Sequence, residues 1–273
     1  MSDDFKLTPE IANAIRDSQL FTLVSSTLYL YDLLLTLYLE VELLWPSKWT
    51  LIKIIYLFQR YLPLIDMVVI TILWQFSNVP NLHICRILAN GASWAYCIGI
   101  TLSELLLTWR TIAVWGNTTT IRIGLFVFSA GCIAPLFWML AKKGLTYHSI
   151  PIPGLYCFAG GGPHIKFLCW VLLTVYDTGL LILIATRAFQ GYKASRAIHQ
   201  STLSTVVYQD GVLYYVYLVA LSAINVVLTL RLQGSSVALL VTSIQRVAYS
   251  ILTSRVMLHI REQTARTQVV MTL

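Results

Sequence analysis

Charged residues are scarce in this sequence. Only 11% of the 273 residues are Asp, Glu, Lys or Arg, whereas 57% are hydrophobic. A soluble domain carries about a quarter charged residues, because its surface has to stay hydrated. The shortage therefore argues against an ordinary soluble domain, and it predicts that much of the surface faces the hydrocarbon of a lipid bilayer.

Enzyme and cofactor motifs are also missing. The sequence contains no H-E-x-x-H, G-x-S-x-G or P-loop pattern, and its histidines form no i, i+4 pair. No lysine follows Lys193, which excludes a retinal Schiff base on the last helix. We therefore predict no enzyme activity, no cofactor and no metal site.

The net charge of +7 does not by itself indicate nucleic-acid binding. Its 19 Lys and Arg are spread thinly between apolar blocks, whereas a nucleic-acid-binding surface needs a clustered basic patch. We therefore expect no nucleic-acid partner. The positive excess is better interpreted as a topology signal, because cytoplasmic loops of membrane proteins are enriched in Lys and Arg.

Seven apolar segments are long enough to cross a membrane as helices. A span needs about 20 mostly apolar residues to cross about 30 Å of hydrocarbon. The predicted spans are residues 19–43, 53–76, 85–113, 121–141, 166–188, 210–231 and 235–258. The sequence thus predicts an all-α integral membrane protein, a seven-transmembrane helix bundle. It leaves a polar N-terminal tail at 1–18 and a short C-terminal tail at 259–273.

The distribution of Lys and Arg favours a multi-pass orientation with the amino terminus outside and the carboxy terminus in the cytoplasm. This orientation places more of the basic residues on the inner side, and it counts Arg255 among them. The sequon Asn117-Thr118-Thr119 would then be cytoplasmic, and a glycan there would invert the topology. The plasma membrane and internal membranes both remain open as locations.

Two of the five cysteines fall in or beside predicted outer loops. Cys85 begins the third span and Cys157 lies in the Gly- and Pro-rich loop that follows the fourth. Outer loops face an oxidising compartment, where a disulfide is chemically permitted. The pattern resembles rhodopsin-like receptors, although their acid-arginine-tyrosine triplet is absent. The resemblance implies a Cys85–Cys157 disulfide and a role for Arg110 in cytoplasmic coupling.

A closer resemblance begins in the first predicted span. Residues 31–36 read YDLLLT, residues 40–45 read EVELLW and residues 59–61 read QRY. The pattern continues in QDGVLY at 209–214 and in SRVMLHIR at 254–261. It resembles a fungal family of multispanning membrane proteins that carries the domain of unknown function 6533. The resemblance implies a fungal membrane protein with several spans, and it implies no established activity.

Charged residues inside the spans should face inward and pair, because each costs about 2.5 to more than 10 kcal/mol in hydrocarbon. Depth along the spans predicts a midplane polar cluster, formed by Asp32, Asp66, Asp177 and Arg246. It also predicts an inner polar cluster in which Arg60 pairs with Glu104 or Glu40. Three interpretations are open, namely fixed polar links between helices, a switch, or an ion path.

The leading functional hypothesis is a receptor-like signalling or sensing protein. It rests on the seven spans, the outward amino terminus, the implied disulfide and Arg110. A transporter or channel that uses the intramembrane charges is the alternative, and a membrane-embedded lipid-modifying enzyme is the third hypothesis. The expected partners are the lipid bilayer, an intracellular signalling protein and a small ligand that the sequence does not identify.

Overall fold

The computed structural model describes the backbone of residues 9–75, 82–144, 149–152, 155–159, 163–198, 202–231 and 237–272. Side chains are described over 20–67, 90–142, 167–191, 212–231 and 243–263, and at Arg16, Ile87 and Lys193. Within these residues the chain forms seven α-helices and one two-stranded hairpin.

The seven helices correspond to the seven predicted spans. They are α1 (Pro9–Leu43), α2 (Leu51–Gln75), α3 (Leu82–Val114), α4 (Thr119–Gly144), α5 (Pro163–Ile198), α6 (Thr202–Arg231) and α7 (Val237–Thr272). The prediction of seven helical segments is confirmed. Most of the helices extend beyond the predicted spans at one or both ends, because polar residues continue them. α1 begins inside the predicted N-terminal tail, and α7 runs through the predicted C-terminal tail.

Five of the helices contain, within their described residues, an apolar stretch long enough to cross a membrane. These stretches are Leu20–Leu43, Asn90–Val114, Thr119–Lys142, Phe167–Gly191 and Val212–Arg231. In α2 the described side chains cover only residues 51–67, and in α7 they cover 243–263 and include Arg246 and Arg255, so neither described part supplies an apolar stretch of that length. A multi-pass membrane protein is therefore supported, while the count of seven crossings stays a prediction.

A β-hairpin lies between α4 and α5. Strand β1 (Ser149–Ile152) pairs antiparallel with β2 (Leu155–Ala159), in a segment that the sequence predicted only as a loop. Both strands contact α3, and β2 also contacts α2. We call this end of the bundle the hairpin end. The opposite end, where residues 44–50 join α1 to α2, is called the 44–50 end.

At the 44–50 end, a left-handed turn terminates α3. Gly116 and Asn117 have φ angles of 71° and 55°, a region that glycine enters freely and that asparagine tolerates better than most residues. Their N–H groups donate to the carbonyl oxygens of Ala113 and Ile112 at 3.0 Å. These bonds satisfy the last turn of α3 and allow α4 to begin at Thr119.

The bundle combines a partly polar interior with an apolar outer surface. Its main core cluster contains buried apolar and aromatic side chains, among them Leu107, Tyr176 and Leu218. Large apolar side chains such as Leu34 and Val127 point outward, with 69% and 67% of their surface exposed. An apolar surface of this extent is unfavourable in water and suited to lipid tails, so the packing supports a bilayer environment.

Candidate functional site

Helix α1 presents a polar face to the interior of the bundle. Ser25, Tyr29, Asp32, Thr36 and Glu40 are all buried, and their spacing of three or four residues places them on one side of the helix. The other side of α1 is apolar and exposed. Of these residues, Asp32, Thr36 and Glu40 make polar contacts with α2 or α7.

One of these contacts is a buried ion pair between α1 and α2. Arg60 Nε lies 2.5 Å from Glu40 Oε2, and both side chains are almost completely buried. Arg60 Nη2 also donates to Thr36 Oγ1 at 2.6 Å, and the Tyr61 hydroxyl donates to Glu40 Oε1 at 3.0 Å. Of the two partners predicted for Arg60, the structure therefore places Glu40 beside it.

A second buried ion pair joins α2 to α7. Arg246 Nη2 lies 3.1 Å from Asp66 Oδ2, and neither side chain is more than 7% exposed. Gly99 of α3 completes this site, because a Cβ built on Gly99 would overlap the Arg246 guanidinium. Two members of the predicted midplane cluster are thus brought together, and a glycine that the sequence analysis did not single out makes room for them.

Asp32 was predicted to join the cluster around Arg246, but its ion-pair partner is Arg255. Arg255 Nε lies 2.7 Å from Asp32 Oδ1. The sequence analysis placed Arg255 on the inner surface, whereas the Asp32 contact places it beside the middle of the α1 span. Arg255 lies about 14 Å further along α7 than Arg246, so the two cations select different acids.

Asp177 and Glu104 form a third group, separate from both Arg246 and Arg60. Asp177 Oδ2 accepts hydrogen bonds from Ser222 Oγ, at 2.6 Å, and from the Tyr249 hydroxyl. The carboxyl group of Glu104 lies beside that of Asp177 and is 1% exposed. Predictions that placed Asp177 with Arg246, and Glu104 with Arg60, are therefore corrected. The rotation of α3 and α5 about their axes places both acids at the interface of α3, α5 and α7 instead.

The Glu104–Asp177 pair has the chemistry of a proton-sharing site. Neither carboxyl group belongs to an ion pair in the described part of the chain. Two neighbouring carboxylates in a low-dielectric interior repel each other strongly, so both cannot carry a charge at low cost. No three His, Cys, Asp or Glu side chains gather as a metal site among the described residues.

Arg110 lies at the 44–50 end of α3 and faces α6. Its guanidinium carbon is 5.8 Å from the centre of the Tyr215 ring. The Tyr215 hydroxyl donates to the Leu107 carbonyl oxygen at 3.1 Å and lies 3.3 Å from Thr111 Oγ1. Arg110 Nη1 makes no hydrogen bond within the described residues. Tyr215 thus links α6 to the last turns of α3.

The predicted disulfide lies at residues whose side chains are not described. Cys85 belongs to α3 and Cys157 to β2, and both fall outside the described side chains. Among those described, Cys97, Cys132 and Cys169 form no disulfide. The backbone does bring β2 against α3, so the two elements that would carry the disulfide are neighbours.

Sequence reasoning missed several members of these sites, and one signal could have found some of them. Ser25, Tyr29 and Thr36 continue the spacing of Asp32 and Glu40 on α1, which reveals the inward face. By contrast, no local pattern marks Tyr249, Ser222 or Gly99, which become relevant only when α3, α5, α6 and α7 are packed.

Comparison with known proteins gives one match. The chain matches no curated protein and no solved structure. The one match is to a protein family, and it covers a segment that contains the inward face of α1 and the Glu40–Arg60 ion pair. Residues 20–65 match the family of unknown function DUF6533.

Proposed function

We propose that this protein is a receptor-like signalling or sensing protein of the membrane, in which α6 moves against α3 at the 44–50 end. The observation that carries this proposal is the contact between Arg110 and Tyr215. It joins two long helices through side chains alone, at the end where the predicted topology places the cytoplasm. Tyr215 is 1% exposed, so moving it would expose Arg110 to a partner.

The strength of this contact suits a switch. A cation–π contact contributes about 0.5–2 kcal/mol, an amount that the differential affinity of a ligand can readily supply. The Glu40–Arg60 and Asp66–Arg246 pairs are buried and join α1, α2 and α7. They form a frame that stays in place while α6 moves.

The proposal includes an amino terminus outside the membrane, all seven helices as spans, and a Cys85–Cys157 disulfide. Packing of β2 on α3 supports the disulfide, because it brings the two elements together. The disulfide would hold the hairpin across the outer end of the bundle. A small ligand outside and a signalling partner inside are the partners that this arrangement requires, and the fungal origin implied by the sequence resemblance belongs to the same proposal.

Spin labels on α3 and α6 test the movement. We would place unnatural-amino-acid nitroxides at Ala113 and Leu213, both exposed, and measure their separation by pulsed electron paramagnetic resonance in nanodiscs. We call the state with α6 packed on α3 closed and the state with α6 moved away open. Arg110→Ala is expected to raise the ratio of open to closed populations about two- to thirtyfold, the change that corresponds to losing about 0.5–2 kcal/mol.

Arg122→Ala is the matched control, because Arg122 is exposed on α4 at the same end of the bundle. It should leave the distance distribution unchanged. A single narrow distribution that is identical in the wild type and in Arg110→Ala would contradict the proposal. The contact would then be a fixed structural link.

A transporter is the second candidate, and the Glu104–Asp177 pair favours it. Two neighbouring buried acids, of which Asp177 accepts a hydrogen bond from the Tyr249 hydroxyl, are groups that a proton relay could use. Ion flux in proteoliposomes separates the two candidates with the same substitution. Arg110→Ala should leave flux unchanged in a transporter, whereas a receptor should show no flux and altered α3–α6 populations.

A further inference from the structure

A cleft of about 450 Å³ opens on the side of the bundle between α1, α6 and α7. Its volume lies within the range of small-molecule sites. Among the residues that line it are Leu28, Tyr31, Asp32, Tyr217, Ala220 and Arg255. Leu28 and Tyr217 are more than half exposed and lie in stretches that could cross the membrane. The cleft therefore opens sideways, toward lipid tails.

The cleft lies deep in the hydrocarbon. Asp32 is near the centre of the Leu20–Leu43 stretch, about 17 Å from each end at 1.5 Å per residue. The phosphate groups of a bilayer lie at the surface, well above this level. An occupant must therefore be a molecule whose polar group can enter the bilayer interior.

Arg255 is the polar group that such an occupant would meet. Its Nε bonds to Asp32 Oδ1, yet its side chain is 48% exposed while that of Asp32 is 5% exposed. The bond to Asp32 uses Nε, and a guanidinium carries four further N–H donors on Nη1 and Nη2. Unpaired N–H donors in hydrocarbon are costly, so a ligand that supplies an acceptor gains affinity there.

We infer that this cleft binds a lipophilic small molecule with one uncharged hydrogen-bond acceptor, a hydroxyl or carbonyl group, bonded to the Nη atoms of Arg255. Asp32 already neutralises Arg255, so an anionic ligand would leave an unbalanced negative charge in a low-dielectric site. Apart from the hydroxyl groups of Tyr31 and Tyr217, the remaining lining residues are Leu, Ile and Ala, which accommodate hydrocarbon. This binding site does not depend on the proposed movement of α6.

Photolabelling of the full chain in phosphatidylcholine nanodiscs tests the site. The probes are hexadecanol, hexadecanoic acid at pH 8 and hexadecane, each with a diazirine in the chain, and labelled residues are mapped by mass spectrometry. The alcohol should label residues lining the cleft about fivefold more than the hydrocarbon, corresponding to about 1 kcal/mol for one hydrogen bond. Excess unlabelled hexadecanol should compete.

Two tryptophan variants provide the matched comparison. Ala220 lines the cleft from α6 and is exposed, so Ala220→Trp fills the cleft without disturbing the core and should abolish the selective labelling. Val127 is exposed on α4, and Val127→Trp should leave it intact. Equal labelling by alcohol and hydrocarbon, or selective labelling that persists in Ala220→Trp, would contradict the proposal that the cleft is a binding site. Stronger labelling by the acid than by the alcohol would contradict the proposal that the ligand is uncharged.

Discussion

Glu40→Ala is expected to destabilise the folded bundle by about 3–5 kcal/mol, because it leaves a buried guanidinium without its carboxylate. Arg60 is 1% exposed and Glu40 is completely buried. The Thr36 hydroxyl and the Leu33 carbonyl oxygen would still accept from Arg60 Nη2, but they carry no charge. The free energy of unfolding, measured by circular dichroism in mixed detergent micelles with increasing dodecyl sulfate, checks this expectation.

Two further variants separate the ion pair from a general effect of substitution. Glu42 lies two residues further along the chain and is exposed, so Glu42→Ala should change the stability by less than about 0.5 kcal/mol. The double variant Glu40→Leu/Arg60→Met should recover most of the loss, because it removes both charges. An effect of Glu40→Ala as small as that of Glu42→Ala would refute the importance of this pair.

Gly99→Ala is expected to cost about 1–3 kcal/mol through overpacking, and more if the Asp66–Arg246 pair separates. The new methyl group would occupy the space of the Arg246 guanidinium. Gly91 provides a control within the same helix, since a Cβ there meets nothing within 4 Å. Gly91→Ala should stabilise α3 by about 0.5–1 kcal/mol, because alanine favours the helix.

A double-mutant cycle shows whether the effect of Gly99→Ala acts through the ion pair. Asp66→Leu also disrupts the pair, so the combined loss in Gly99→Ala/Asp66→Leu should be smaller than the sum of the two single losses. Additive losses in the unfolding free energy, or equal effects of Gly91→Ala and Gly99→Ala, would contradict this account of Gly99.

The helices could be predicted from the sequence because each depends on a local property, a long apolar stretch. The β-hairpin could not, since Gly and Pro between 142 and 165 indicate a loop without specifying the pairing of Ser149 with Ala159. The inward position of the intramembrane charges was also predictable, because their cost in hydrocarbon does not depend on the details of packing.

The partners of these charges could not be predicted, because a partner depends on helix rotation and on how far each helix extends. Asp32 pairs with Arg255, which lies inside the predicted seventh span but was counted among the basic residues of the inner surface. Glu104 and Asp177 lie beside each other, whereas the predicted clusters paired each acid with a cation. Two adjacent acids meet the same physical requirement without a cation when one of them holds a proton.

The topology of the two termini tests the central claim of seven membrane crossings most directly. A glycosylatable tag would be fused to each terminus in turn, and its sensitivity to a deglycosylase measured. Seven crossings with an outer amino terminus predict modification of the amino-terminal tag alone. Modification of both tags or of neither would place both termini on one side and contradict an odd number of crossings. Modification of the carboxy-terminal tag alone would invert the bundle, place Arg110 outside and contradict its role in cytoplasmic coupling.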